Sequence, residues 1–274
     1  MQQLSAKLKA EGFSIGLVPT MGFLHEGHLS LIKKSKQRTD ITVVSIFVNP
    51  TQFAPNEDLK KYPRDIERDK RILKKYNVDY LFLPGEDEIY PENYQTYVEV
   101  NNISKTLEGE FRPTHFKGVT TIVSILFNAV YPDFAFFGQK DVQQSVIINR
   151  MVKDLKFPVK VVVCPIVREA DGLAMSSRNI FLSPKEREDA LVLYKSLKSA
   201  AEIIKSGERN SSVIVNNMLK IVKSVDSSNP DYIRIVESET FNEVKKIIDG
   251  KSYFILIACK IGNTRLIDNI LIKM

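Results

Sequence analysis

A chain of 274 residues, 43% hydrophobic and 26% charged, can bury a core in one large domain or two modest ones. Its net charge of +6 suits an anionic partner such as a nucleotide or a carboxylate, yet no arginine- and aromatic-rich stripe points to nucleic acid. The two cysteines, Cys164 and Cys259, lie too far apart for a metal motif and make no disulfide framework; no apolar run is long enough for a bilayer. No signal-peptide core precedes Gly12, so a cytoplasmic location is expected.

Gln2–Ala10 reads as a short helix ended by Gly12, and residues 14–18 as the first strand. The turn Met21-Gly22-Phe23-Leu24-His25-Glu26-Gly27-His28 follows, with a helix opening near His28 and running to about Arg38. Residues 41–48 are mostly apolar and β-branched, the pattern of a parallel strand buried on both faces. After a turn at residues 49–52, a helix is expected over 66–76, a strand over 80–84, a loop over 86–93 and a short strand over 97–100. Residues 120–130 predict a buried helix, 134–137 a strand, 138–141 a turn, Val142–Leu155 a helix and 159–163 a strand. This alternation predicts an α/β, Rossmann-like doubly wound parallel sheet over residues 1–165.

Past that point the pattern changes. Ser183-Pro184-Lys185-Glu186 combines a serine cap, a proline at the first helical position and a glutamate three residues after the cap. Leu191, Tyr194, Leu197 and Ala201 share one face of the helix that follows, and a second helix is expected over 212–223. Strands are expected over 233–237, 253–258 and 265–271, so residues 166–274 read as a smaller α+β domain.

Polar segments follow the strands: His25 and His28, residues 49–52, residues 138–141, and Val167 with residues 175–179. Open α/β sheets bind ligands outside the carboxyl ends of their strands, so these segments converge on one rim. Histidines at a helix start can stabilise the charge of a phosphate or of a leaving pyrophosphate. A metal pair is the alternative for His25 and His28, although they lack the four-residue spacing of the helical zinc signature. A nucleophile is the alternative for Ser176 or Ser177, although no Gly-x-Ser-x-Gly elbow surrounds them. His115 has a core or helix-capping reading.

Taken together, Pro19-Thr20-Met21-Gly22-x-Leu24-His25-x-Gly27-His28, Phe47-Val48-Asn49-Pro50-x-Gln52-Phe53, Tyr62-Pro63-Arg64 and Phe137-Gly138-x-Lys140-Asp141-x-Gln143-Gln144 resemble the pantothenate synthetase (pantoate–β-alanine ligase) family of the His-x-Gly-His nucleotidyltransferases. So does Arg168-Glu169-x-Asp171-Gly172-Leu173-Ala174-Met175-Ser176-Ser177-Arg178-Asn179; the likeness runs from about residue 13 to residue 183 and then weakens. The resemblance implies condensation of (R)-pantoate with β-alanine, driven by ATP, to give pantothenate, AMP and pyrophosphate through a pantoyl adenylate. It assigns ATP contacts to Met21, Gly22, Phe23, Leu24, His25, Glu26, Gly27, His28, Gly138, Gln139, Lys140, Asp141, Val167, Met175, Ser176, Ser177 and Arg178. His28, as proton donor, is joined in the chemistry by His25, Lys140, Ser176, Ser177 and Arg178, while Gln52 and Gln144 hold pantoate and Gln52 also meets β-alanine.

Mg2+ accompanies the ATP in this picture, with Asp69 either its ligand or a residue on a solvated helix face. A mobile lid is expected from residues 175–179 of the C-terminal domain, over the ATP site, and from residues 51–56. The implied partners are the small-molecule substrates and a second copy in a homodimer, with no nucleic acid and no membrane. Three departures stand out: Gln139 replaces a common glutamate, Thr114 stands where glycine is usual, and the N-terminus is shorter. The rival functions are an adenylyltransferase with another acceptor and a basic RNA-binding protein that has kept the fold.

Overall fold

In a computed structural model, which describes residues 1–54 and 59–274, the chain packs as two units, Met1–Pro165 and Ile166–Met274. The first runs α1 (Gln2–Ala10), β1 (Ile15–Thr20), α2 (Glu26–Lys36), β2 (Ile41–Ile46), α3 (Ile66–Lys75), β3 (Tyr80–Phe82), α4 (Glu86–Ile89) and α5 (Glu108–Phe111). It continues through α6 (His115–Val130), β4 (Phe134–Gly138), α7 (Val142–Leu155) and β5 (Lys160–Cys164). All five strands pair in parallel, in the order β3-β2-β1-β4-β5.

The continuous apolar strands follow from burial on both faces. Side chains alternate across a strand, so Ile15, Leu17, Val43, Ala135 and Phe137 join the core beneath α6 and α7. Val18, Val44, Ile46 and Phe136 join the opposite core with Leu29, Leu31 and Ile32 of α2. Strand order runs outward from β1 through β2 to β3, then resumes on the other side of β1 with β4. That reversal separates the loops after β1 and β4 and opens a crevice at the carboxyl end of the sheet.

Several expectations shift. α2 opens at Glu26, just before His28, because His25 caps it. A single helical turn, α4, interrupts the loop expected over 86–93. No strand forms over 97–100: the Val98 N–H donates to Thr121 Oγ1 and its carbonyl accepts from Thr120 Oγ1, so α6 hydroxyls take the place of a neighbouring strand. In the lid segment expected over 51–56, Pro55 and Asn56 lie outside the described residues.

The second unit contains α8 (Pro184–Asp189), α9 (Leu191–Lys205) and α10 (Ser211–Val222), then β6 (Ser228–Glu237), β7 (Ser252–Ile261) and β8 (Thr264–Lys273) in an antiparallel sheet. The capping box forms: Ser183 Oγ accepts the Glu186 N–H at 3.3 Å, and Glu186 Oε2 accepts the Ser183 N–H at 2.8 Å. The buried stripe of α9 is Leu193, Leu197, Ala200 and Ile204, rotated from the expected face, so that Leu191, Tyr194 and Ala201 flank it. Each strand extends beyond its expected span, and the two-residue Gly262-Asn263 hairpin joins β7 to β8, with Gly262 at φ +55°.

Candidate active site

The His25–His28 spacing has a structural cause. At the N-cap of α2, His25 Nδ1 accepts the Gly27 N–H at 3.1 Å, while the His25 N–H donates to His28 Nδ1 at 3.3 Å. Two imidazoles thus perform the reciprocal capping that serine and glutamate perform elsewhere. Because each Nδ1 accepts a main-chain N–H, a neutral ring at either position carries its proton on Nε2. The rings lie 4.1 Å apart between centroids. Burial lowers the His28 pKa well below its ordinary value, and the neighbouring His25 and Lys140 charges lower it further. His28 is therefore a neutral donor at pH 7, and no other described residue hydrogen-bonds its Nε2.

Lys140 reaches this histidine from another strand. It sits on the short helical turn Gln139–Asp141 after β4, next to β1 in the sheet, with its side chain 21% exposed and Asp141 at 3.7 Å. The split between β1 and β4 therefore brings together His25, His28 and Lys140, flanked by Met21, Gly22, Phe23, Leu24, Glu26, Gly27, Gly138, Gln139 and Asp141 on the same two loops.

Asp69 departs from the reading that put it on a solvated helix face. It is 1% exposed, so it is not on a solvated face. Its Oδ2 accepts the Phe23 N–H at 2.7 Å and its Oδ1 the Leu24 N–H at 2.8 Å, so both oxygens already serve the main chain. Among the described residues, no group of three or more His, Cys, Asp or Glu side chains could hold a metal ion.

Gln52 is oriented by a hub that sequence reasoning leaves without a role. Asn49, fully buried, donates through Nδ2 to Gln52 Oε1 at 2.9 Å and to the Gly118 carbonyl at 3.1 Å. Its Oδ1 accepts from Tyr90 Oη at 2.8 Å and Thr51 Oγ1 at 3.0 Å. Those four bonds fix the Asn49 amide, which in turn holds the Gln52 oxygen and leaves the Gln52 NH2 as the donor for a ligand. The Gln52 main chain is pinned as well, its carbonyl meeting Arg112 Nη2 at 3.2 Å and His115 Nδ1 at 3.0 Å. His115 thus opens α6 and steadies Gln52.

The neighbouring glutamines of α7 differ. Gln143 is consumed by structure, accepting the Glu108 N–H and donating to the carbonyls of Ile103 and Thr106. Gln144 is half-buried and its side chain makes no hydrogen bond with any described residue, which suits it to a ligand.

The second unit gathers its own set. The Met175 N–H donates to the Val167 carbonyl at 3.0 Å, and Arg168 bridges to Ala174, closing a small hairpin. Ser176 Oγ accepts the Arg178 N–H at 3.3 Å and so starts the short helix Ser177–Phe181, with Ser177 buried. Glu169 and Asp171 both bind Arg187, and Glu169 also takes the Asn179 amide at 2.9 Å. Val167, Met175, Ser176, Ser177 and Arg178 therefore form one cluster on an ion-paired base.

Comparison with known proteins decides what this arrangement belongs to. The sequence profile of the pantoate-beta-alanine ligase family matches residues 1–271. The pantothenate synthetase of a Sulfurihydrogenibium species is 55% identical over 271 residues, which is 98% of this chain and 96% of that protein. The chain belongs to the pantoate–β-alanine ligase family. The crystal structure of pantothenate synthetase from Thermus thermophilus superimposes with a TM-score of 0.91 at 43% identity, covering 97% of this chain and 96% of that one. A pantoate–β-alanine ligase from Francisella tularensis, solved with β,γ-ATP and β-alanine, does so with a TM-score of 0.80 at 37% identity, covering 98% and 94%.

The departures from the usual pattern of pantoate–β-alanine ligases now have a physical reading. Thr114 sits at φ −93° and ψ −12°, which any residue adopts, so nothing there requires glycine. Gln139 is half-buried on the same turn as Lys140.

Proposed function

We propose that this chain condenses (R)-pantoate with β-alanine at the expense of ATP, as a pantoate–β-alanine ligase, with His28 and Lys140 managing the charge of the triphosphate. The observation that carries this reading is the pairing of a neutral histidine on the N-terminal turn of α2 with the Lys140 charge after β4. In the first step a pantoate carboxylate oxygen attacks the α-phosphorus, and the bond to the bridging oxygen breaks to release pyrophosphate. In the second the β-alanine amine attacks the activated carbonyl, loses a proton, and expels AMP.

The residues act by position and charge. Lys140 supplies positive charge, and the N-terminal end of α2 adds its dipole. His28 donates a hydrogen bond from Nε2 to a phosphate oxygen. The arriving triphosphate raises the pKa that burial and cationic neighbours had lowered, so His28 can carry a proton when pyrophosphate leaves. The Gln52 NH2 and the Gln144 amide hold pantoate, and Gln52 also faces β-alanine. Val167, Met175, Ser176, Ser177 and Arg178 of the second unit close on the nucleotide as a lid. Mg2+ enters with the ATP, held by phosphate oxygens and water, and neutralises phosphate charge.

The same proposal includes a cytoplasmic homodimer, which light scattering would find at twice the 31.2 kDa of one chain. No helix among the described residues is long and apolar enough to cross a membrane. The deciding experiment is a coupled AMP-release assay with each substrate omitted in turn. Release should require ATP, pantoate and β-alanine together; pyrophosphate release with no free AMP and no need for β-alanine would favour an adenylyltransferase, which keeps the AMP group on its acceptor.

A further inference from the structure

The loop that carries the histidines has a main-chain path that needs outside support. Gly22 and Phe23 occupy the left-handed region in succession, at φ +81° and +52°. Glycine accepts this conformation, whereas a phenylalanine held there is strained and persists only where its surroundings impose it. A Cβ at Gly22 would stand 3.0 Å from Ile46 Cγ2 and 3.1 Å from Asp69 Oδ2, so the loop lies tightly against α3 and β2.

Two consecutive residues of α3 supply the support. Asp69 accepts the N–H groups of Phe23 and Leu24 on its two oxygens. Arg68 Nη2 donates to the Leu24 carbonyl at 2.9 Å, and its guanidinium lies over the Phe23 ring, 5.0 Å from the centroid. Arg68 Nη1 also stands 3.5 Å from Asp69 Oδ1, so each group offsets the other's charge. The next residue in the chain is His25, the cap that holds His28. Geometry set at Phe23 and Leu24 is therefore passed directly to both imidazoles.

We propose that Arg68 and Asp69 are positioning residues that clamp the Phe23-Leu24 peptide so that His25 and His28 meet the triphosphate in register. This deepens the ligase reading and rests on it. It also gives the Asp69 carboxylate a task other than metal ligation. A misplacement of about 1 Å costs on the order of 10²-fold in rate, so a clamp of this kind should be visible in turnover.

The test compares Asp69→Asn, which keeps the shape but puts an NH2 against a main-chain N–H, with Arg68→Lys, which keeps the charge but loses the planar stack. Asp69→Asn should lower kcat roughly 10- to 100-fold, with the KM values for pantoate and β-alanine unchanged and the Mg2+ concentration for half-maximal activity unmoved. Arg68→Lys should show a smaller loss of the same kind. Without any substrate, 15N-imidazole spectra of Asp69→Asn should show the His25 and His28 resonances displaced and His115, the third of three histidines, unmoved.

A raised Mg2+ requirement with recovery of kcat in excess Mg2+ would overturn the clamp in favour of metal ligation. Unmoved His25 and His28 resonances would overturn it equally. If Asp69→Asn fails to fold by circular dichroism, Arg68→Lys and Arg68→Ala carry the same comparison. Should the wild-type chain release no AMP, the ligase reading falls, while the spectra still decide the clamp.

Discussion

The two polar clusters are held in contrasting ways. The His25–His28 turn is fixed by short-range reciprocal capping and by a carboxylate that is 1% exposed, and the result is a desolvated, neutral imidazole. The segment from Val167 to Arg178 stands on ion pairs that water reaches: Arg187 to Glu169 at 2.6 Å and to Asp171 at 2.7 Å, with side-chain exposures of 25%, 33% and 44%. Buried polar groups without partners are costly, so the first arrangement tolerates little displacement. Exposed ion pairs give small energies and can be remade in water, as the lid role proposed for this segment requires. Preorganised charge belongs to the first cluster, and adjustable closure is the role proposed for the second.

The largest expected effects break the first cluster. His28→Ala and Lys140→Ala should each lower kcat by on the order of 10²–10³ with the fold retained, the usual cost of one charge-stabilising donor. Steady-state kinetics with a thermal melt on each variant checks this, and near-normal turnover in either would remove the role given to that residue. The next effect falls on the base of the second cluster. Gly172 sits at φ +104°, and a Cβ there would lie 2.3 Å from the Tyr194 ring, over which Arg168 stacks at 3.9 Å. Gly172→Ala should cost about 3 kcal/mol from left-handed strain and overpacking together, read as a lowered urea midpoint.

Much of this contrast is legible in the residues and part of it is not. The β-branched run at residues 41–46 and the aromatic run at 134–138 announce a parallel sheet because burial on both faces leaves no polar alternation. Ser183 and Glu186 announce their helix because both partners of the capping box lie within four residues. His25 as a cap is less visible, since histidine is not a usual N-cap and its role depends on His28 accepting in return. Asp69 escapes a sequence reading because its partners, Phe23 and Leu24, are 46 and 45 residues away, a distance at which no local pattern operates. Asn49 stands in a motif without an evident role, its hub being assembled from Thr51, Tyr90 and Gly118. Residues 97–100 look like a strand by composition, and tertiary hydrogen bonds to α6 override that propensity.

A third test uses pH to sharpen the comparison. The His28 pKa in the folded chain lies below the ordinary 6.5 because of burial, then His25, then Lys140. Above pH 6.5 the folded and unfolded states are both neutral at this position, and the stability it permits is fully present. As pH falls through 6.5 the unfolded chain takes up a proton that the folded chain resists, and stability is lost until pH has passed below the folded value. Melting temperatures measured across this window should fall more steeply for the wild type than for His28→Gln. Equal slopes would place His28 in a more solvated setting than its geometry indicates.

The smallest effect is expected where the second cluster meets water. Asp171 is 44% exposed in its side chain, and Arg187 holds its carboxyl below the usual carboxylate range through direct hydrogen bonds. Asp171→Asn removes that charge but leaves Arg187 on Glu169 at 2.6 Å and leaves the Asn179 amide on Glu169 as well. Solvent screening limits the loss to about 0.2–1 kcal/mol, and kcat should stay within about fivefold of wild type, since about 1.36 kcal/mol would be needed for a factor of ten. Raising salt should shrink the difference further, because exposed pairs are screened and the buried His25–His28 turn is not. A large, salt-independent loss in Asp171→Asn would mean that the second cluster is as preorganised as the first, and the division between fixed charge and adjustable closure would fail.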